Sequence, residues 1–238
     1  MLGVYLPGRR RGRDEAEKPF WISFADFMTA LMVMFLVTMS VALLAVTKTV
    51  TEAERRQEER ERDLKTLLEK LREASKSYPG VTVRGNVIDF GDQARFDTDS
   101  HRLTADQSKL LRAFVPKVLA IARSDLGRRW LKRIVAEGFA DQRGSYLHNL
   151  NLSLQRSQRV LCVLLSPPFA DETPMSPDEL EQIRELFLVG GYSFNSAKRS
   201  FDESRRIELR LEFFGVDEAR EPADDIPRGN FGRCSLDT

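Results

Sequence analysis

The sequence predicts a single N-terminal transmembrane helix with a helical extension, followed by an α+β domain of βαβαβ type. Three observations carry this: an apolar run long enough to cross a bilayer, a charged stretch rich in helix formers directly after it, and alternating strand and helix patterns from Val81 onward. Average composition hides the first of them. The 238 residues carry a formal net charge of +1 and are 42% hydrophobic, values of an ordinary soluble protein. Yet the apolar weight is concentrated in one block, and the charged residues, 31% of the total, crowd the segments beside it.

That block is FWISFADFMTALMVMFLVTMSVALLAV. No charge follows Asp26 until Lys48, so Phe27 to Thr47 meets the roughly 20 residues needed to span about 30 Å of hydrocarbon. A cleaved signal peptide would have an apolar region of only about 7 to 15 residues, ending at small residues. Here the run is longer, bulky Met and Phe fill it, and a charged helix follows. Arg9, Arg10, Arg11, Arg13 and Lys18 precede the span. By the positive-inside rule this keeps the N-terminus cytoplasmic and puts the chain after about residue 48 on the far side, the periplasm of a Gram-negative cell. Pro19 suits a first helical turn, and Phe20 and Trp21 suit the lipid-water interface. The expected organisation is a basic tail over 1–19, an inner-membrane span over 20–47, a charged helical linker over 48–80, the α+β domain over 81–215 and a polar, mobile tail over 216–238.

In the linker, Glu52 with Arg56, Glu58 with Arg62 and Glu61 with Lys65 stand in the favourable i,i+4 order. A seam through Val50, Ala53, Gln57, Arg60, Leu64, Leu67, Leu71 and Ala74 offers self-pairing, firmest in its distal half; a solvated single-helix spacer is the other reading. Beyond it, VTVRGNVIDF reads as strand and turn, and an amphipathic helix begins after an N-cap at Thr104. RWLKRIVAEGF reads as a strand and SLQRSQRVLCVLL as helix. SPPFADETPMSPDELEQIRELFL reads as an inserted Pro-rich loop with its own short helix, and RRIELRLEFF as the last strand. Cys162 and Cys234 both fall in an oxidising compartment, where a disulfide tying down the tail competes with a plain buried thiol at Cys162.

Asp141 at a strand end and Arg156 on the following helix can take the ammonium and the carboxylate of one amino acid, so the pair fits a zwitterionic ligand. An internal Asp141 to Arg156 salt bridge is the alternative. The surrounding VAEGFADQRGSYLHNLNLSLQRSQRV resembles the signature of OmpA-like peptidoglycan-binding domains, with Gly138, Phe139, Ala140, Asp141, Gly144, Asn149, Leu152, Ser153 and Arg156 at its spacing. The resemblance covers about residues 83 to 213. It implies the diaminopimelate stem of uncrosslinked peptidoglycan as ligand, held by Asp141 and Arg156 in a pocket shaped by Asn149 and Leu152. His148 stands where relatives often carry Tyr. Neither His101 nor His148 belongs to a nucleophile motif or a zinc pattern, and there is no Gly-rich phosphate loop. The expectation is therefore no enzyme, no metal, no cofactor and no nucleic-acid binding.

An ionised Asp inside hydrocarbon costs at least about 2.5 to 3.5 kcal/mol, so such residues face a protein interior and mark ion or proton paths. Asp26 is only about one to two turns inside the span, where a rim carboxylate that caps or snorkels is the plainer reading. Asp26, Thr29, Ala30, Val33, Val37 and Ser40 share one stripe of small or β-branched side chains, which permits close helix packing. FADFMTALMVMFLV is similar to the transmembrane signature of flagellar stator B subunits, the MotB family, whose Asp at this place binds the translocated proton or sodium ion. That resemblance implies a homodimer of B helices enclosed by five copies of a MotA-like A subunit.

The short helical connection departs from the flagellar pattern, which has a long flexible linker. DEAEKPFWIS, GSYLHNLNLSLQRS, IRELFLVGGYSFNSAKRS and RRIELRLEFFG are similar to the B subunits of Zorya anti-phage defence motors; generic OmpA-like domains lack the insertion LFLVGGYSFNSAKRS. The expected protein is a peptidoglycan-anchored, ion-driven inner-membrane motor subunit, with protons favoured over sodium. A flagellar stator subunit and a passive membrane-to-wall tether are the alternatives.

Overall fold

A computed structural model describes residues 17–168, 172, 174–220 and 229–237. The basic residues before Glu17, on which the expected orientation rests, lie outside them. The first element, α1 (Glu17–Ser75), is one helix of 59 residues. No Gly or Pro interrupts the sequence between Phe20 and Tyr78, and Pro79-Gly80 follows to stop it. The chain divides into two compact units, Met1–Arg56 and Gln57–Thr238.

In the first unit, α1 is the one helix among the described residues long and apolar enough to cross a membrane. Its hydroxyls are turned back onto its own backbone. Thr29 Oγ1 donates to the carbonyls of Ala25 and Asp26, both at 2.8 Å, Thr38 Oγ1 to those of Met34 and Phe35, and Ser40 Oγ to that of Leu36 at 2.7 Å. These groups therefore need no partner from outside the helix in a medium without water. The Asp26 carboxylate differs: it has no hydrogen-bond or ion-pair partner among the described residues.

The second unit begins well before the expected boundary at residue 81. Leu67 and Leu71 are buried, 1% and 0% exposed, and Leu71 joins Val81, Phe90, Phe114 and Leu209 in the core. Trp130 Nε1 donates to Asp63 at 2.9 Å, Arg60 Nε donates to the Phe214 carbonyl at 2.8 Å, and Arg129 pairs with Glu59 at 3.0 Å. The distal half of the proposed self-pairing seam is thus covered by the chain's own domain. Burying a leucine is worth about 1.5–3 kcal/mol, and an apolar surface tethered to the same chain is met at a far higher effective concentration than a second molecule.

The sheet contains β1 (Thr82–Arg84), β2 (Val87–Asp89), β3 (Leu131–Gly138), β4 (Phe187–Gly191) and β5 (Ile207–Phe213), in the order β1-β2-β5-β3-β4. All neighbours are antiparallel except β3 and β4. Three helices, α2 (Ala105–Ala122), α4 (Tyr146–Leu165) and α5 (Pro177–Leu186), pack on one another, and α4 and α5 also pack on the sheet. The expected cap of α2 is formed, with Thr104 and Gln107 bonding reciprocally in a capping box.

Three expectations are corrected. Arg129 and Trp130 close a short helix, α3 (Asp125–Trp130), capped by Ser124, so the strand expected from Arg129 starts at Leu131. Phe187 and Leu188, expected at the end of the Pro-rich loop, instead open strand β4 beside β3. Residues 229–237 of the tail are held on α4 rather than mobile. Cys162 and Cys234 form a disulfide with Cα atoms 5.3 Å apart, Arg159 pairs with Asp237 at 2.5 Å, and Gln158 donates to Ser235 Oγ.

The seat of α4 explains two glycines. Gly138 and Gly191 are register partners on β3 and β4. A Cβ at Gly138 would lie 1.9 Å from the Ser153 carbonyl oxygen, and one at Gly191 would lie 2.8 Å from the Leu154 nitrogen. Only glycine lets the helix backbone approach this closely, and that approach places Asn149, Leu152 and Arg156 beside the exit of β3.

Candidate functional site

After Gly138 the chain leaves β3 through buried Phe139 and Ala140, then turns at Asp141 into α4. The turn is local chemistry. Asp141 Oδ1 accepts from the Arg143 backbone N–H at 3.0 Å, Gly144 takes φ +89°, and Ser145 caps α4 by accepting from His148 N. Asn149, one turn into the helix, donates from Nδ2 to the Arg143 carbonyl at 2.7 Å and fixes the loop from the other side.

All five residues proposed to grip the wall, Asp141, His148, Asn149, Leu152 and Arg156, line one cavity of about 230 Å³. Arg156 is completely buried and is anchored by three backbone carbonyls: Nε donates to Ser100 at 2.8 Å, Nη1 to Phe139 at 2.7 Å and Nη2 to Asp97 at 3.1 Å. Its guanidinium also lies 4.9 Å from the centre of the Phe96 ring. Two of its five N–H donors remain for a ligand carboxylate.

Asp141 is paired, but not with Arg156. Arg143 Nη2 donates to Oδ2 at 2.6 Å and Arg143 Nε to Oδ1 at 3.2 Å, while Arg205 Nη1 donates to Oδ2 at 3.1 Å. With the Arg143 backbone bond, the carboxylate's roughly four acceptor positions are taken. An ammonium can reach Asp141 only by exchanging with a guanidinium, and Arg143, whose side chain is about half exposed, is the one placed to leave. The internal Asp141 to Arg156 bridge is thereby corrected. His148 is exposed and bonds Asp99 at 2.7 Å, so it forms part of the rim.

Gly144 also lines the cavity, and so do Thr98, Asp99, Arg143 and Arg205, which were not singled out in the sequence. Arg143 had a local signal, two residues after Asp141 in an Asp-turn. Arg205 had none, because its approach to Asp141 depends on the pairing of β5 with β3.

The electrostatics follow from these contacts. Burial alone would raise the Asp141 pKa, but hydrogen bonds from Arg143 and Arg205 outweigh it and bring it down to about 2. Burial lowers Arg156 to about 10, helped by the nearby Arg205 charge, and Asp141 and Asp99 offset part of this. Both groups are therefore charged at neutral pH. A carboxylate with a depressed folded pKa stabilises the fold above its unfolded pKa, and loses that contribution as pH falls through the folded value. Thermal unfolding from pH 7 to pH 2 should show Asp141→Asn less stable than the unaltered chain above about pH 4. The gap should close as pH approaches 2; a gap constant over the whole range would mean that the Asp141 charge contributes nothing.

Comparison with known proteins bears on both units. Residues 8–54 match the family model described as membrane MotB of the proton-channel complex MotA/MotB. Over 230 residues, 95% of this chain and 93% of the other, the sequence is 46% identical to Zorya protein ZorB of Escherichia coli O139:H28 (strain E24377A / ETEC). Among solved structures, the OmpA-like domain of FopA1 from Francisella tularensis subsp. tularensis SCHU S4 is similar at 19% identity, covering 57% of this chain and 82% of that one, with a TM-score of 0.35. The cell wall anchor of the T6SS from Pseudomonas aeruginosa is similar at 17% identity, covering 62% and 97%, with a TM-score of 0.39.

Proposed function

The chain belongs to the family of Zorya protein ZorB, and from that premise we propose that it is a peptidoglycan-anchored, ion-driven stator subunit of an inner-membrane anti-phage motor. The observation that carries the anchoring half is the single cavity gathering Asp141, His148, Asn149, Leu152 and Arg156. In this reading, the two spare Arg156 N–H groups take the carboxylate of a diaminopimelate end. Its ammonium exchanges with Arg143 at Asp141, and Leu152 packs on the aliphatic stem. The membrane half uses Asp26 as the carrier of the translocated ion, a proton in preference to sodium. Two copies of the chain pair through the small-residue stripe, inside a ring of five MotA-like A subunits. The N-terminus is cytoplasmic and the second unit periplasmic, and the chain has no catalytic role.

Sedimentation of the detergent-solubilised full chain with purified sacculi tests the anchoring. Asp141→Ala and Asn149→Ala should each weaken binding about tenfold, the order expected when a charged or buried polar contact is removed. Retention of unaltered binding by both variants would place wall recognition elsewhere.

A further inference from the structure

The site cavity adjoins a second cavity of about 400 Å³, with which it shares Thr98, Arg143 and Arg205 as lining. One wall of the second cavity is the end of the insertion, Lys198 to Ser200, and the short helix α6 (Phe201–Ser204) that follows it. This wall is built, not loose. Ser193 is buried and its carbonyl accepts from Ala140 N at 2.8 Å, which ties the insertion to the exit of β3. Ser204 is also buried, and its hydroxyl accepts from Lys198 N at 2.9 Å and donates to the Ser200 carbonyl at 2.8 Å.

The lining of the second cavity carries Arg143, Lys198, Arg199 and Arg205 against Asp202, while Glu203, on the same helix, lines a neighbouring cavity that Lys198 and Arg199 also border. Asp202 is engaged by Arg205, and Arg143 and Arg205 are both engaged by Asp141. Lys198 lies 3.7 Å from Glu208, a carboxylate that Arg206 already holds at 2.7 Å. Arg199 has no partner among the described residues. The surplus is positive and faces the second cavity, so it favours an anion there. Beside it Phe201 is 49% exposed, and its ring is held 4.7 Å from the Arg143 guanidinium, leaving a fixed apolar surface at the junction of the two cavities.

We propose that the second cavity is a subsite for a further carboxylate of the same wall peptide, with Arg199 and Lys198 supplying the charge and Phe201 the surface on which the aliphatic peptide chain lies. The proposal rests on the reading of the first cavity as the diaminopimelate site. In an uncrosslinked stem, diaminopimelate is joined to a γ-linked glutamate whose α-carboxylate is free, an anion carried on the ligand itself. Charge placed beside the primary pocket then selects the intact stem over free diaminopimelate.

Calorimetric titration of the full chain in detergent with three probes tests this: meso-diaminopimelate, the tripeptide L-Ala-γ-D-Glu-diaminopimelate, and the same tripeptide amidated at the glutamate α-carboxylate. The acid tripeptide should bind the unaltered chain about fivefold more tightly than the amide, the scale of a partly exposed charge pair. Arg199→Ala should abolish that preference without changing the affinity for free diaminopimelate, and Arg199→Lys should restore part of it. Equal affinity for acid and amide, with diaminopimelate still bound, overturns the subsite alone. If none of the three probes binds, the first-cavity reading fails and the subsite falls with it.

Discussion

Replacing Asp26 with asparagine is expected to return phage plating to the level of cells lacking the chain, while membrane abundance, co-purification with the A subunit and wall binding stay unchanged. The amide has nearly the volume of the acid and is less costly in lipid, so helix and assembly have no reason to suffer. It cannot carry a charge. From Phe27 to Thr47 the span has no other ionisable side chain. The hydroxyls on the same stripe, Thr29 and Ser40, already donate to their own helix carbonyls. Nothing else on this part of the helix can therefore take over as proton carrier. Asp26→Glu, which keeps the acid but moves it by one methylene, should retain partial protection. Full protection by the asparagine variant would reduce the chain to a passive tether.

What could be read from the sequence had short-range causes. The cap at Thr104, the Asp141 turn and the apolar block before Lys48 are each set by residues within a turn or a single run, so pattern and spacing reveal them. Trp130 shows the opposite case. Its strand-like neighbours suggested a sheet residue, but it ends α3 and donates to Asp63 across 67 positions of chain. Leu67 and Leu71 had the spacing of a coiled-coil seam, and period alone cannot tell whether an apolar stripe meets a second helix or its own domain. Arg205 reaches Asp141 across 64 positions, a contact fixed by strand order and invisible to any local rule. The candidate site was therefore legible as a list of residues and not as a network of charges.

Arg156 is where that difference has its largest measurable effect. The sequence cast it as a ligand contact; three of its N–H groups are in addition pillars joining the 97–100 loop and the exit of β3 to α4. Arg156→Lys keeps the charge and about the same length, but a single ammonium cannot meet three carbonyls in the plane that a guanidinium spans. At least two charge-assisted bonds, each worth about 1.5–3 kcal/mol, should be lost, leaving buried acceptors unpaired. The expected destabilisation is about 3 kcal/mol, near 8 °C in the unfolding midpoint for a unit of this size, measured on the full chain in detergent. Asn149→Ala, which removes one bond to the Arg143 carbonyl, should cost only about 1 kcal/mol while weakening wall binding. The contrast separates the two roles. If Arg156→Lys unfolds at the wild-type temperature yet releases the wall, the three carbonyl bonds add no stability and only the ligand contact remains, because a pillar cannot be removed without lowering the structure it supports.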